Sequence, residues 1–214
     1  MSLLSSIYKF ADVVERSGPK KIWECVRREL EAVWSILPLV FGKLANDSHL
    51  VLASDATGSD ARGQAGLGVS YTRDVNPASL RTRGWEAEDL EVLGWTNARW
   101  RWAVASHINS ESHVNIHEML GLMLAGQVGL THGHPGHKEV PVFLVNNTAV
   151  IGAASKGRSS SPGLNLLLRR WSAFLFMSGW CTTHIRYVPT KLNPADAPSR
   201  VYWAQRAISG EIHE

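Results

Sequence analysis

The chain has 214 residues, of which 44% are hydrophobic, and this is ample for one sizeable core. Its net charge of +3 and pI near 9.0 are compatible with a polyanionic partner. Its two cysteines fit neither a metal-ligand spacing nor a disulfide framework, which argues against a secreted disulfide scaffold. No signal peptide and no apolar run of membrane-spanning length stand out, so we expect an intracellular location, cytoplasmic or nuclear, and no membrane partner.

Residues 1–47 are predicted to form a helical appendage, followed by a main domain over 48–207 and a tail over 208–214. Ser17 and Pro19 suit the start of a helix, and Pro38 suits its end. Five apolar residues between them share one helical face: Ile22, Val26, Leu30, Val33 and Leu37. The appendage would pack on the main domain or on a neighbouring one.

Three strands are predicted next. Residues 49–55 form a short apolar run that ends at Asp55. Residues 64–72 alternate apolar and small or polar residues, which predicts a half-buried antiparallel strand. Residues 74–99 are polar and irregular and read as an insertion, and alternation resumes over 100–108.

From Asn115 the apolar residues recur with the spacing of an α-helix. One face of this predicted helix is apolar, and Glu118 lies on a different side, near the amino-terminal end. The apolar face comprises Ile116, Leu120, Met123, Leu124 and Val128. A short apolar run over 140–145, followed by two amides, predicts a strand buried on both faces. The remaining elements are predicted as helix 148–155, loop 156–161, helix 162–177, strand 181–188 and helix 194–207, with Pro198 inside the last.

This order predicts an α/β fold with a mixed five-stranded sheet and helices on both faces. Right-handed crossovers would place the strand at 140 beside the strand that carries Asp55. Ligands of open α/β sheets bind beyond the carboxyl ends of the strands, where strand order switches. Asp55 and Asn146 would both lie there.

Three acids from distant parts of the chain, Asp55, Glu118 and Asp196, would then converge. Converging carboxylates stay ionised only if cations sit among them, and oxygen-only ligands suit Mg²⁺ or Mn²⁺. Two such ions can clamp a phosphodiester, one activating water and the other stabilising the leaving oxygen. Taken singly, each acid is better explained as a solvated surface charge or a helix cap.

Four segments carry a family resemblance. They are SDAT at 54–57 followed by GLGVSYT, HVNIHEML at 113–120, FLVNNTAV at 143–150 followed by KGRSSS, and HIRYVPTKLNPADAPSR at 184–200. With these segments the chain resembles a ribonuclease H domain of the reverse-transcriptase type, in the version found in DIRS-like and Ty3-like retrotransposons. The resemblance covers about residues 48–203, and residues 20–47 resemble the segment that links polymerase to ribonuclease H in such elements.

The resemblance implies a ribonuclease H-like fold that cleaves the RNA strand of RNA–DNA hybrids with two Mg²⁺ ions, or Mn²⁺. It also implies a polymerase domain of the same polyprotein as a partner. Asp55, Glu118 and Asp196 match three catalytic, metal-binding acids of the family, and Asn146 stands where the fourth would be. Asn147 matches a residue that is an Asn in the family.

Asn146 is the main departure from the family pattern. A neutral amide oxygen is a poorer metal ligand, so we expect weak binding of one ion and impaired or absent cleavage. Either the acid was replaced deliberately to trap uncleaved substrate, or the native element has lost it. The intact surrounding motifs favour the deliberate change. A smaller departure is the loop PTKLN, which has Thr190 and Lys191 but no His.

A second set of candidates lies outside the acids. The loop residues Lys156, Arg158, Ser159 and Ser160 precede a helix start and suit phosphate contact, although an ordinary solvated loop has the same composition. Three other groups favour structural roles. Arg169 and Arg170 suit a solvated helix face, Trp100 and Trp102 suit the core, and His132, His134 and His137 fit no zinc spacing.

Three functions stay open at this point: a hybrid-cleaving enzyme, a module that binds hybrid without turnover, and an integrase or transposase of the same superfamily. The last is disfavoured because those enzymes usually place the Glu last, whereas the order here is Asp55, Glu118, Asn146 and Asp196.

Overall fold

The computed structural model describes residues 5–41, 46–60, 63–75, 98–132, 139–180 and 184–201. A short 3₁₀ turn spans Thr190–Leu192, and residues 196–201 are helical. The other elements are the helices α1 Ser5–Ser17, α2 Glu24–Phe41, α3 Val114–His132, α4 Thr148–Lys156 and α5 Pro162–Ser178, and the strands β1 Asn46–Ala56, β2 Gln64–Thr72, β3 Arg101–Asn109, β4 Glu139–Val145 and β5 His184–Tyr187.

The strands form one mixed sheet in the order β3-β2-β1-β4-β5. β1 pairs antiparallel with β2 and parallel with β4, and β4 pairs parallel with β5. The predicted five-stranded sheet is therefore confirmed, as is the placement of the strand at 140 beside the strand that carries Asp55. β4 is buried on both faces, as its continuous apolar run predicted.

Apolar side chains cover both faces of the sheet. On one face the core includes residues of α3, α4 and α5, with Phe143 and Trp171 meeting edge to face at a ring-centroid distance of 5.6 Å. On the other face a smaller cluster packs near the last helix: Val51, Ala53, Val75, Val142, Leu144, Val188 and Ala195. Helices thus lie on both faces, as predicted.

β2 is buried on both faces, and the prediction of a half-buried strand was wrong. The polar-looking face carries glycines because the last helix lies directly against the strand backbone. A Cβ at Gly66 would come within 1.9 Å of the Ser199 carbonyl oxygen, and one at Gly68 within 2.4 Å of the Ala195 carbonyl oxygen. Small residues here signal close helix–strand approach rather than a solvated face.

The alternation predicted for β3 is interrupted by a register shift. Val69 pairs with Val104 and Ser70 with Trp102, so one extra residue, Ala103, lies between them. Trp102 is 57% exposed, whereas Trp100 packs against the smaller core cluster. The core placement predicted for Trp102 is therefore wrong, because a bulge reverses the facing of residues beyond it.

The most buried face of α3 is not the apolar face predicted from sequence. The buried positions include Glu118, Met119, Leu122 and Ala125, which face the sheet. Of the predicted face only Val128 is buried, and the others are half-buried: Ile116, Leu120, Met123 and Leu124. Because α3 is covered on two sides, its apolar residues need not form a single stripe. The most buried face could therefore not be predicted from their spacing.

The amino-terminal helices differ from their predicted bounds. α1 ends at Ser17, where Gly18 has a φ of 75°, and the next helix begins at Glu24 and continues beyond Pro38 to Phe41. A glycine at positive φ is a helix stop, which outweighs the cap-like pattern at Ser17 and Pro19. Of the predicted apolar face Val26 is buried, whereas Ile22 and Leu30 are exposed.

Some predictions fall outside the described residues. These are most of the 74–99 insertion, His134, His137, Cys181, the helix beyond residue 201 and the tail at 208–214. Within the described ranges, no helix combines the length and apolar character needed to cross a membrane.

Candidate functional site

Asp55 lies near the carboxyl end of β1, where the parallel neighbour β4 also ends. The pairing of Ser54 with Val145 brings the next residues, Asp55 and Asn146, side by side. Asn146 Nδ2 donates a hydrogen bond of 2.6 Å to Asp55 Oδ1, and Ser199 Oγ donates one of 2.5 Å to Asp55 Oδ2. Both carboxylate oxygens of this buried side chain are thus engaged by neutral donors.

The pKa of Asp55 is raised, chiefly because the side chain is only 3% exposed. The hydrogen bond from Ser199 opposes this rise, the nearby negative charge of Asp196 adds to it, and the bond from Asn146 opposes it. Asp196 therefore lies close enough to Asp55 for the two carboxylates to repel.

Glu118 reaches the same place from the second turn of α3. It is 4% exposed, and burial followed by the charge of Asp55 raises its pKa to about 8, against a smaller opposing hydrogen bond from the Ala56 backbone. Its Oε2 is buried and has no hydrogen-bond partner among the described residues. A buried carboxyl without a counter-ion is held in its neutral form near neutral pH.

Asp196 is placed by the first turn of the last helix and is paired with a residue one turn later. Its Oδ1 accepts hydrogen bonds from Arg200 Nε at 3.0 Å and Nη2 at 2.9 Å. Arg200 has a raised pKa because of this bond and the accompanying charge of Asp196. The carboxylate thus has a protein cation as its partner.

Asn193 fastens the turn before Asp196 to the strand that carries Asp55. Its Nδ2 donates to the Ser54 carbonyl oxygen at 3.0 Å, and its Oδ1 accepts from the Ala195 backbone N–H at 3.0 Å. Asn193, Ser199 and Arg200 were given no role in the sequence prediction. All three belong to the NPADAPSR segment, which is part of the family resemblance, so their position in this motif was the signal that could have identified them.

The chemistry of this site suits a hard cation in part. Its four candidate ligands offer only oxygen, and two buried oxygens, Glu118 Oε2 and Asn146 Oδ1, have no hydrogen-bond partner in the described part of the chain. A cation among them would satisfy both oxygens and favour ionised carboxylates. No group of three or more His, Cys, Asp or Glu side chains within the described ranges is arranged to hold a metal. Asp196 is paired with Arg200, and position 146 carries an amide.

The predicted substrate loop is separated from these residues by the length of α4. Lys156, Arg158, Ser159 and Ser160 lie at the carboxyl end of this nine-residue helix, about 13 Å along its axis from Asn146. Ser159 is fixed by its backbone N–H and carbonyl, both bonded to the Asn165 side chain, at 2.8 and 2.6 Å. The loop is therefore ordered, but it is not part of the cluster of acids.

Arg158 has a partner that sequence did not indicate. Its guanidinium carbon lies 4.6 Å from the ring centroid of Tyr8 in α1, which is a cation–π contact. α1 is itself fixed to α2, because the Glu29 carboxylate accepts the backbone N–H groups of Ser6 and Ile7 at 2.9–3.0 Å. The amino-terminal helices therefore reach the basic loop.

The remaining candidates have structural surroundings. Asn147 caps α4, with its Oδ1 accepting from Val150 N at 3.0 Å, and its Nδ2 donates to Asn115 Oδ1 at 2.9 Å. His132 stacks on Tyr71 at 4.3 Å. Arg169 and Arg170 are exposed on α5.

Comparisons with known proteins give similarity in structure only. No protein-family profile and no curated protein sequence matches the chain. A ribonuclease H1 named LC11, isolated from compost by a metagenomic approach, is similar at 15% identity and a TM-score of 0.52, over 74% of this chain and 97% of that one. The amino-terminal ribonuclease H domain of Rv2228c from Mycobacterium tuberculosis is similar at 20% identity and a TM-score of 0.48, over 75% and 97%. LC11 in complex with an RNA/DNA hybrid has 14% identity and a TM-score of 0.47, over 73% and 99%.

These identities are low, so the similarity concerns the fold. The mixed five-stranded sheet with its helices is a ribonuclease H-like fold, as the sequence resemblance implied.

Proposed function

We propose that this chain is a ribonuclease H-type module that binds RNA–DNA hybrids, with cleavage of the RNA strand impaired by Asn146. The observation that carries the proposal is the contact between Asp55 and Asn146 at the adjacent ends of two parallel strands. The negative charge of Asp196 adds to the raised pKa of Asp55, and the negative charge of Asp55 adds to the raised pKa of Glu118. Four positions of the implied catalytic set therefore meet in one place.

Asp55, Glu118, Asn146 and Asp196 would hold Mg²⁺ or Mn²⁺. Such ions, when bound, supply a Lewis acid and an activated water for phosphodiester hydrolysis. This chain's own contribution is a buried, oxygen-rich position. Asn146 directs a donor rather than an acceptor at Asp55, so the pair is stable without a cation. An Asp at position 146 would instead place two carboxylates together, which favours cation binding.

Hybrid is the proposed substrate because the fold is ribonuclease H-like and the chain is mildly basic. Recognition would rest on duplex shape and 2′-hydroxyl contacts rather than base sequence. The loop at Lys156, Arg158, Ser159 and Ser160 would contact phosphate groups at a distance from the acids. We also propose a retroelement context in which residues 1–47 form an appendage that leads from a polymerase domain of the same polyprotein.

The decisive experiment compares the chain with its Asn146→Asp variant on a labelled RNA–DNA hybrid in Mg²⁺. We expect cleavage by the variant and little or none by the chain. Asn115→Asp is the matched control, because it adds the same charge beside Asn147 while keeping the acceptor oxygen that Asn147 uses. Absence of cleavage by Asn146→Asp, with hybrid binding retained, would refute the enzymatic part of the proposal.

A second candidate is a module that holds hybrid without turnover. It is favoured by the internal pairing of the site, in which Asn146 and Ser199 engage Asp55, and Arg200 engages Asp196. This candidate predicts hybrid binding that is unchanged when Mg²⁺ is removed with a chelator. A loss of hybrid binding on chelation contradicts it.

A further inference from the structure

A second concave feature lies at the other end of the sheet from Asp55. It is a cavity of about 390 Å³ lined by Tyr71, Thr72, Arg73, Asp74, Arg99, Arg101 and His132. Its walls come from the end of β2 with the two residues after it, the start of β3 with Arg99 before it, and the end of α3. None of these residues belongs to the proposed hybrid site.

The lining is strongly basic. Among the lining residues that lie in the described ranges, three arginines face a single acid, Asp74, which leaves two positive charges in excess before His132 is counted. Charges of one sign collected in a concave surface attract a ligand of the opposite sign more strongly than the same charges spread over a convex one.

Two of the arginines are held in place by the protein. The Arg99 backbone N–H and Nε both donate to Asp74 Oδ2, at 3.0 and 3.2 Å, and Arg73 Nη2 donates to the His132 carbonyl oxygen at 2.5 Å. The side-chain bond of Arg99 uses Nε, and no bond of its two terminal nitrogens is seen within the described ranges. Arg101 makes no side-chain hydrogen bond or ion pair with any residue in the described part of the chain. The pKa of Asp74 is lowered chiefly by the hydrogen bonds from Arg99, and the charge of Arg101 adds a smaller lowering, so Arg101 lies near this acid.

The pocket also has a rigid aromatic wall. The rings of Tyr71 and His132 stack at a centroid distance of 4.3 Å and an angle of 22°, which joins β2 to the last turn of α3. A rigid wall beside the guanidinium groups loses little entropy on binding, and guanidinium groups match the oxygens of a phosphate in pairs.

The separation from Asp55 is set by strand register. Gly68 pairs with Asp55, whereas Tyr71 pairs with Leu52, three residues earlier on β1. This corresponds to about 10 Å along the strand. The pocket is therefore distinct from the acid cluster, although one long polyanion could reach both.

We propose that this pocket is an anion site that binds a phosphate or phosphodiester group. The volume admits a group of that size together with part of the molecule that carries it. The source is either the backbone of a nucleic acid bound elsewhere on the chain or a free phosphate compound. Both present the same oxygens to Arg99 and Arg101.

The test uses the full chain and the Arg101→Gln and Arg99→Gln variants. Arg16→Gln is the matched control, because Arg16 is an exposed arginine of α1 and the same charge is removed. Binding of inorganic pyrophosphate is measured by calorimetry, and binding of a labelled RNA–DNA hybrid by anisotropy over a range of salt concentrations. Arg101 is exposed on the edge strand, so its removal leaves the fold intact.

We expect Arg101→Gln to weaken binding of at least one probe by about 10-fold, the effect of losing one charge-assisted contact. Loss for hybrid alone, with a salt slope smaller by about 1, assigns the site to a nucleic-acid backbone. Loss for pyrophosphate assigns it to a free phosphate compound, and this holds even if the chain binds no hybrid at all. Equal behaviour of the three variants and the parent chain on both probes overturns the inference.

Discussion

Replacing Glu118 by Gln should change how the stability of the metal-free protein depends on pH. The carboxyl has a pKa of about 8 in the folded chain and of 4.5 in its reference state. The folded state therefore binds the proton more tightly than the unfolded state does. The stabilisation linked to this proton is fully present below pH 4.5 and is lost as pH rises to 8.

The size of the effect follows from these two values. A difference of 8 minus 4.5, at about 1.4 kcal/mol per pH unit, gives an upper bound of about 5 kcal/mol. Gln does not titrate, so the free energy of unfolding of Glu118→Gln should fall less over this range than that of the parent. The difference between the two proteins should grow with pH up to this bound.

The assay is urea unfolding in the presence of a chelator at several values between pH 4.5 and 8.5. The change in stability with pH is the readout, because the new amide adds an offset that does not depend on pH. Glu111→Gln is the matched control, since Glu111 is exposed in the loop before the same helix. Parallel pH profiles for the parent and Glu118→Gln would show that Glu118 is ionised in the folded protein and would refute the reasoning.

Further predictions concern packing and are checked by the same unfolding measurement. Gly68→Ala should destabilise the fold by about 1–3 kcal/mol or more, because its Cβ would lie 2.4 Å from the Ala195 carbonyl oxygen, whereas Gly58→Ala, with nothing within 4 Å, should change stability by less than about 0.5 kcal/mol. Equal effects would contradict the close approach of the last helix. Asn147→Ala should lose about 1 kcal/mol through its helix cap, and an unchanged midpoint would rule that role out. Trp102→Ser should cost less than the loss of about 3–5 kcal/mol expected for a core Trp, since the residue is 57% exposed, and a loss of that size would place it in the core.

Most of the sheet could be predicted from the sequence, and so could the convergence of the acids at one place. Continuous apolar character identified β4, and the crossover rule placed Asn146 beside Asp55. The partners of the acids could not be predicted in the same way. Ser199 contacts Asp55 although 144 positions separate them in the sequence, and no periodic pattern in either segment indicates that the two residues meet.

The errors have physical causes of the same kind. β2 looked half-solvated because glycine leaves no side chain to show that the backbone itself is covered. Trp102 was misplaced because a bulge is a property of two paired strands rather than of one. The contact of Tyr8 with Arg158 joins elements far apart in the chain and has no local signature.

The close fit of the last helix against β2 sets the order in which the domain can be finished during synthesis. The hairpin of β1 and β2 is complete by residue 72. The face of β2 that carries Gly66 and Gly68 is covered only after residues 195–199 have been synthesised. The same late segment brings Asp196 and the hydroxyl that bonds Asp55. A chain whose synthesis stops before residue 195 would leave this face of β2 uncovered and Asp55 without its hydrogen bond from Ser199. The face of β2 at Gly66 and Gly68 should thus be among the last parts of the nascent chain to be covered.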